Sequence, residues 1–208
     1  MANLHPVLID VPMPIRTPRL LLRPKQPGDG ALTADAVAET WDDLHQWMRW
    51  AEPREWFTPE SLEVRNRQVM ASFLLREVIE LIGIDVATGR PVLWCGLHDI
   101  DWQARHCDTG YWVRKSAQRQ RLATEAANAM VRYDFGALGM RRVGLTHSAG
   151  NEASRRIAER LGFSIEGIQR AANPLPEGKF ADRYCYARLD AANLPPLDVR
   201  WGESAGRQ

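Results

Sequence analysis

The chain has 208 residues, 45% hydrophobic and 25% charged, which is enough for one sizeable domain with its own core. A formal net charge of +1 gives no basis for a nucleic-acid partner, and no apolar run approaches the roughly 20 residues of a membrane span. Met1 to Ile15 is punctuated by proline, carries Asp10 and does not read as a signal peptide; Cys95, Cys107 and Cys185 are widely spaced and odd in number, and read as reduced thiols of a cytoplasmic protein with no disulfide framework and no metal site.

In chain order, residues 1–15 read as an irregular arm and Arg19 to Arg23 as a first strand, stopped by Pro24. Thr33 is positioned to cap a helix reaching about Met48, with Ala34, Val37, Trp41 and Leu44 at helical spacing. Thr58-Pro59-Glu60 is a helix start: a capping hydroxyl, proline at the first position, then an acid in the first turn. Three strand-like runs follow, Glu77 to Ile84, Pro91 to Ile100 and Cys107 to Val113, and their spacing predicts an antiparallel meander. A helix is predicted from Leu122 to Phe135, a short strand from Arg142 to Thr146, and a second short helix from Asn151 to Leu161, with Gly162 as its C-cap. Phe163 to Ile168 and Asp182 to Leu189 close the pattern as two strands, and residues 191–208 read as a tail. This order argues an α+β domain with a central, mostly antiparallel mixed sheet of about seven strands and about four helices, spanning residues 16–190.

Between the third of those runs and the next helix lies SAQRQRLATEA, Ser116 to Ala126. A strand–loop–helix junction presents free backbone N–H groups at a helix N-terminus, which suits a phosphate. Such loops usually carry glycine, and this one has Arg121 instead. If the position needs φ > 0, arginine costs on the order of 1 kcal/mol; if not, it still donates its N–H and adds a guanidinium.

TPRLLLRP (17–24), GYWVRKSAQRQRLATEA (110–126), NEASRRIAERLGFSIEG (151–167) and YCYARL (184–189), in that order, resemble the GNAT acetyltransferase superfamily, and within it the RimJ/RimL-like branch. The resemblance covers about residues 16–190 and implies a sheet splayed between the fourth and fifth strands, acetyl-CoA as donor and an amine as acceptor. It places the pyrophosphate on Gln118, Arg119, Gln120, Arg121, Leu122, Ala123 and Thr124, and the pantetheine arm on the backbone of Tyr111, Trp112 and Val113 and on Asn151. A helical tyrosine that often protonates the leaving thiolate is here Ala158, so Ser154, on the face of Asn151, is the candidate acid. A glutamate used by some close members aligns with Asn173, which cannot act as a base.

The base candidates are Asp108 first and His98 second, with Asp99, Asp101 and His106 as neighbours. Cys107 lacks the paired histidine and acid that a covalent carrier needs, so transfer is expected to be direct. The resemblance implies that Trp47 and Trp50 border the acceptor groove, where Asp42, Asp43, Glu52 and Glu55 would add negative charge. The expected function is an acetyl-CoA-dependent N-acetyltransferase acting on a protein N-terminus or a small amine, with a homodimer suggested by the resemblance; the alternative is a GNAT-fold CoA-binding or regulatory module without turnover.

Overall fold

The computed structural model describes residues 5–202. In chain order the elements are β1 (Ile15–Arg16), β2 (Leu20–Pro24), α1 (Asp29–Trp47), α2 (Pro59–Leu75), β3 (Ile79–Asp85), β4 (Pro91–Asp101), β5 (His106–Val113), α3 (Leu122–Gly136), β6 (Arg142–Ser148), α4 (Glu152–Arg160), β7 (Ser164–Pro174), β8 (Phe180–Arg188) and β9 (Arg200–Trp201). The strands form one sheet in the order β7-β8-β6-β5-β4-β3-β2-β1-β9. Nine strands replace the expected seven or so because β1 and β9, two residues each, pair at one edge: Ile15 lies opposite Leu22 on one side and Trp201 on the other. Runs of two residues carry no periodicity from which to read them.

Every strand pairing is antiparallel except β5 with β6. That parallel pairing covers only His106↔Arg142, Cys107↔Val143 and Asp108↔Gly144. Beyond it β5 follows β4 to Val113 while β6 follows β8 to Ser148. The sheet therefore opens where the resemblance implies a splay, between the fourth and fifth of the predicted strands.

Side chains alternate between two faces. Leu20, Leu22, Leu81, Leu93 and Leu97 pack under Ala126, Met130 and Tyr133 of α3. On the other face Ile82 and Trp94 meet Ala36 of α1, and Trp94 stacks on Trp112 with ring centroids 4.2 Å apart. Trp41, Leu44 and Leu62 join α1 to α2.

Helix α2 begins as predicted, with Thr58 and Ser61 forming a reciprocal capping box. Helix α1 instead begins at Asp29, four residues ahead of Thr33, which is buried. Its cap is tertiary: Asp29 accepts from Arg23 at 2.7 and 2.8 Å, and Glu63 of α2 accepts from the N–H groups of Gly28 and Gly30. A Cβ on Gly30 would lie 2.5 Å from the Glu63 backbone nitrogen, so that approach requires glycine.

The part of the expected tail that is described, residues 191–202, packs against the domain. Leu194 is buried, Asn128 and Arg132 donate to the Pro195 carbonyl at 2.8 and 3.0 Å, and Trp201 meets Tyr133 edge-on. Residues 1–4 of the arm and 203–208 of the tail lie outside the described residues.

Asp134 of α3 is fully buried, and neither carboxyl oxygen has a partner among the described residues. Burial pushes its pKa well above the carboxylate range. A folded-state pKa raised above the unfolded one favours folding below the unfolded value, and that contribution is lost as pH rises towards the folded value. Asp134→Leu, with the same branched heavy-atom shape and without the orphaned oxygens, is expected to stabilise the fold by about 1–3 kcal/mol at neutral pH. The gain should shrink as pH falls towards about 4; denaturant melts at two pH values read it, and a destabilised variant at neutral pH contradicts it.

Candidate active site

The loop before α3 bears directly on the question raised by its arginines. Arg119 (φ 61°) and Arg121 (φ 63°) both adopt the left-handed conformation, so Arg121 takes the glycine geometry outright. The N–H groups of residues 119–124 have no acceptor among the described residues; the first of the helix to find one is that of Glu125, which bonds the Arg121 carbonyl. Alternating left-handed residues turn successive N–H groups into one concavity, and the helix N-terminus adds its positive end. The donor set fits a pyrophosphate. Leu122 anchors the helix start in the core.

The loop is held from both sides. Glu125, nearly buried, accepts from Thr17 at 2.6 Å and Arg19 at 2.6 Å, and Arg19 also donates to the Gln120 carbonyl at 3.0 Å. The TPRL and ATEA segments thus meet in space. On the other side, Asp35, Glu39 and Asp43 form an acidic stripe of α1 at four-residue spacing. They bind Arg114 (2.5 Å to Asp35 and to Glu39), Lys115 (2.7 Å to Asp43), the Ser116 N–H (2.7 Å to Glu39) and Gln118 (2.8 Å to Asp43). Burial raises the Glu39 carboxyl, but hydrogen bonds from Ser116 and Arg114 outweigh it and leave Glu39 below its usual range. Gln118 and Asp43 are therefore supports of the loop, and Asp43 supplies no free charge to an acceptor.

At the splay the backbone of β5 is half-free. The Arg114 N–H donates to the Val92 carbonyl, so ladder alternation binds Trp112 to Trp94 and turns the N–H and C=O groups of Tyr111 and Val113 away from β4. Trp112, predicted to bind through its backbone, instead uses that backbone in the ladder and its indole in the stack on Trp94. The Val113 carbonyl accepts from Gln118. Asn151 caps α4, its side-chain oxygen accepting from the Ser154 N–H at 3.1 Å. The Ser154 hydroxyl lies 3.4 Å from the Tyr111 hydroxyl, and burial raises the Tyr111 pKa to about 12. Sequence reasoning used only the backbone of Tyr111; period-2 alternation, which puts its side chain on the α3 face, was the available signal.

His98, Asp99 and Asp108 bring their ligand atoms within 4.8 Å of one another. Asp99 sits in a bulge of β4 at φ 50°, and its carboxylate is 2.9 Å from His98 Nδ1. Nε2 of His98 faces Gly110, 3.5 Å from where a Cβ would stand. Asp108 rests on Gly144 at the last paired position of β5 and β6. Asp101 and His106 lie at the far end of this hairpin, paired with each other.

Trp47 reaches across to Gly150, just ahead of Asn151, and Trp50 tilts against Trp112 and Phe57. Between α1, α2 and the sheet is a cavity of about 400 Å³, lined by Trp50, Trp94, Trp112, His98 and Gly110 among others. Glu52, expected to add charge there, instead accepts from the Glu177 N–H of the β7–β8 hairpin, and Asn173 donates to Ser148. No described helix is long and apolar enough to cross a membrane.

Comparison with known proteins agrees with this architecture. The family described as "Acetyltransferase (GNAT) domain" matches residues 19–164. A Bacillus subtilis (strain 168) protein named "Putative ribosomal N-acetyltransferase YdaF" is 28% identical over 154 residues, covering 73% of this chain and 81% of that protein. Among solved structures, Mycobacterium smegmatis RimJ in complex with CoA-disulfide superposes with a TM-score of 0.78 at 21% identity, covering 89% of this chain and 90% of the other. The ribosomal-protein-S5-alanine acetyltransferase from Vibrio fischeri gives a TM-score of 0.77 at 18% identity, with coverage of 90% and 100%.

Proposed function

This chain belongs to the GNAT acetyltransferase family, and from that premise we propose that it moves an acetyl group directly from acetyl-CoA to a primary amine. The observation that carries the reading is the run of unpartnered N–H groups over residues 119–124, aimed from the helix end beside the splay. Acetyl-CoA supplies the acetyl group as a thioester and leaves as a thiol. Residues 119–124 bind its pyrophosphate, with the Arg119 and Arg121 guanidiniums available to add charge. The outward-facing groups of Tyr111 and Val113 hold the pantetheine arm, and the Asn151 side-chain amide, whose oxygen caps α4, offers its N–H to the same arm. One of the turned-out N–H groups of β5 polarises the carbonyl oxygen, where negative charge gathers as the amine attacks.

His98, not Asp108, is the better-placed base. Its Nδ1 is held by Asp99, which leaves Nε2 facing the opening to take the amine proton. Asp108 adds negative charge beside the imidazolium that forms. As the carbon–sulfur bond breaks, the Ser154 hydroxyl, held by Tyr111, gives the sulfur a proton and takes one back from solvent as the thiol leaves. Tyr111 keeps its own proton throughout the neutral range because its pKa lies near 12. The names of the relatives refer to ribosomal proteins, which makes a protein N-terminus one acceptor of the right chemistry.

Ser154→Ala is expected to lower kcat by roughly 10²-fold with little change in the KM for acetyl-CoA, since the hydroxyl acts only as sulfur departs. Thiol release with an excess of amine measures it. Equal kcat in variant and parent removes Ser154 from the reaction. A parent that binds acetyl-CoA and releases no thiol with any amine would instead identify a CoA-binding module.

A further inference from the structure

The acceptor cavity has a floor that the register makes explicit. Pairing of Glu80 with Gly96, and of Gly96 with Gly110, puts one row of positions across β3, β4 and β5. Lys25 follows Pro24, which pairs with Leu81, and so extends that row beside β2. Gly110 leaves room above β5, and at Gly96 the Ile79 carbonyl closes in where a Cβ would stand; the cavity follows this row from Gly110 at the splay to Lys25 and Glu80. The stacked Trp94 and Trp112 form one wall, and His98, two positions along β4 from Gly96, forms the other. Val37, Met48, Phe57 and Leu62 roof it.

The end of the cavity remote from the splay is polar and built. Lys25 is only 6% exposed, and its Nζ is 2.7 Å from Glu80 Oε2. Arg65 of α2 reaches Glu80 Oε1 at 3.3 Å. All three line the cavity. The nearby charges of Arg23 and Asp29, and of Glu63 and Arg67, are paired with each other. Two cations therefore face one carboxylate whose oxygens are both engaged, while Lys25 and Arg65 keep spare donors. The surplus is one positive charge, in a cavity whose walls are mainly apolar.

Resting on the transferase reading above, we propose that Lys25 and Arg65 bind a carboxylate on the acceptor, so that the acceptor carries a primary amine at one end and a carboxylate at the other. Three strand spacings separate Lys25 from Gly110, about 14 Å between backbones. His98 stands on β4, two strand spacings across and two residues along from Lys25, roughly 12 Å between backbones, within the reach of a short extended peptide. A short peptide with an apolar middle residue and a free carboxyl terminus has this chemistry.

The test uses Ala-Leu-Ala as the free acid and as the C-terminal amide, titrated into the full chain with and without coenzyme A. Emission of the tryptophans that line the cavity reports occupancy without turnover. The free acid should bind at least tenfold tighter than the amide. Arg65→Ala, at an exposed position that folding tolerates, and Lys25→Met should each bring that ratio close to one. Equal affinity of acid and amide, binding of neither, or a ratio preserved in both variants overturns the proposal. Discrimination without acetyl transfer leaves the carboxylate site standing and refutes the transferase reading; transfer to both peptides with equal affinity does the reverse.

Discussion

His98→Gln is expected to lower kcat/KM for acetyl transfer by about 10²- to 10³-fold, the largest kinetic loss of any single change in the site. Glutamine keeps the size and one hydrogen-bonding end of the side chain but cannot take a proton. The affinity for acetyl-CoA should hold, because His98 lies on the α1–α2 face of the sheet, away from the loop over residues 119–124. Asp99→Asn should give a smaller loss of the same kind, since the imidazole stays in place but its orienting carboxylate is gone. Initial rates at saturating acetyl-CoA separate the two. A loss below threefold for His98→Gln would move the base to Asp108, and Asp108→Asn would then carry the large effect.

Ala123→Glu is expected to weaken acetyl-CoA binding about 10²-fold. Ala123 is the second residue of α3, and a helical Cβ tilts towards the N-terminus, here towards the free N–H groups. A carboxylate about 5 Å from a phosphate oxygen, at an effective dielectric near 20, repels it by roughly 3 kcal/mol. The same carboxylate interacts favourably with the helix N-terminus, so thermal stability should stay level or rise. Binding lost with stability kept therefore points to electrostatics at the loop; unchanged affinity would place the phosphates elsewhere.

Much of this site was legible in the sequence because it rests on local patterns. Thr58-Pro59 announced α2, Asn151 announced α4, and the run from Gly110 to Ala126 announced the strand, loop and helix that hold the N–H groups. What escaped was set by contacts between distant segments. The start of α1 depends on Glu63, which no local signal at Gly28 reveals. Edge strand β9 exists only because it finds β1, which pairs with β2 on its other side. The left-handed conformation of Arg121 could be posed as a question but not answered, since φ at a non-glycine follows from the clamps on either side of the loop. The bulge that swings Asp99 back onto His98, on which the proposal of His98 as base rests, has no sequence signature. The acids counted for the acceptor, Asp43 and Glu52, turned out to hold the loop and the β7–β8 hairpin.

Acetyl transfer by this chain requires the loop with arginine in place of glycine to work as a phosphate site. Calorimetric titration of acetyl-CoA into the full chain tests it most directly. Saturable one-to-one binding with a micromolar dissociation constant, weakened by added pyrophosphate, is the expected result. A flat titration at millimolar acetyl-CoA from folded protein would contradict the phosphate site and, with it, the acetyl transfer proposed for this chain.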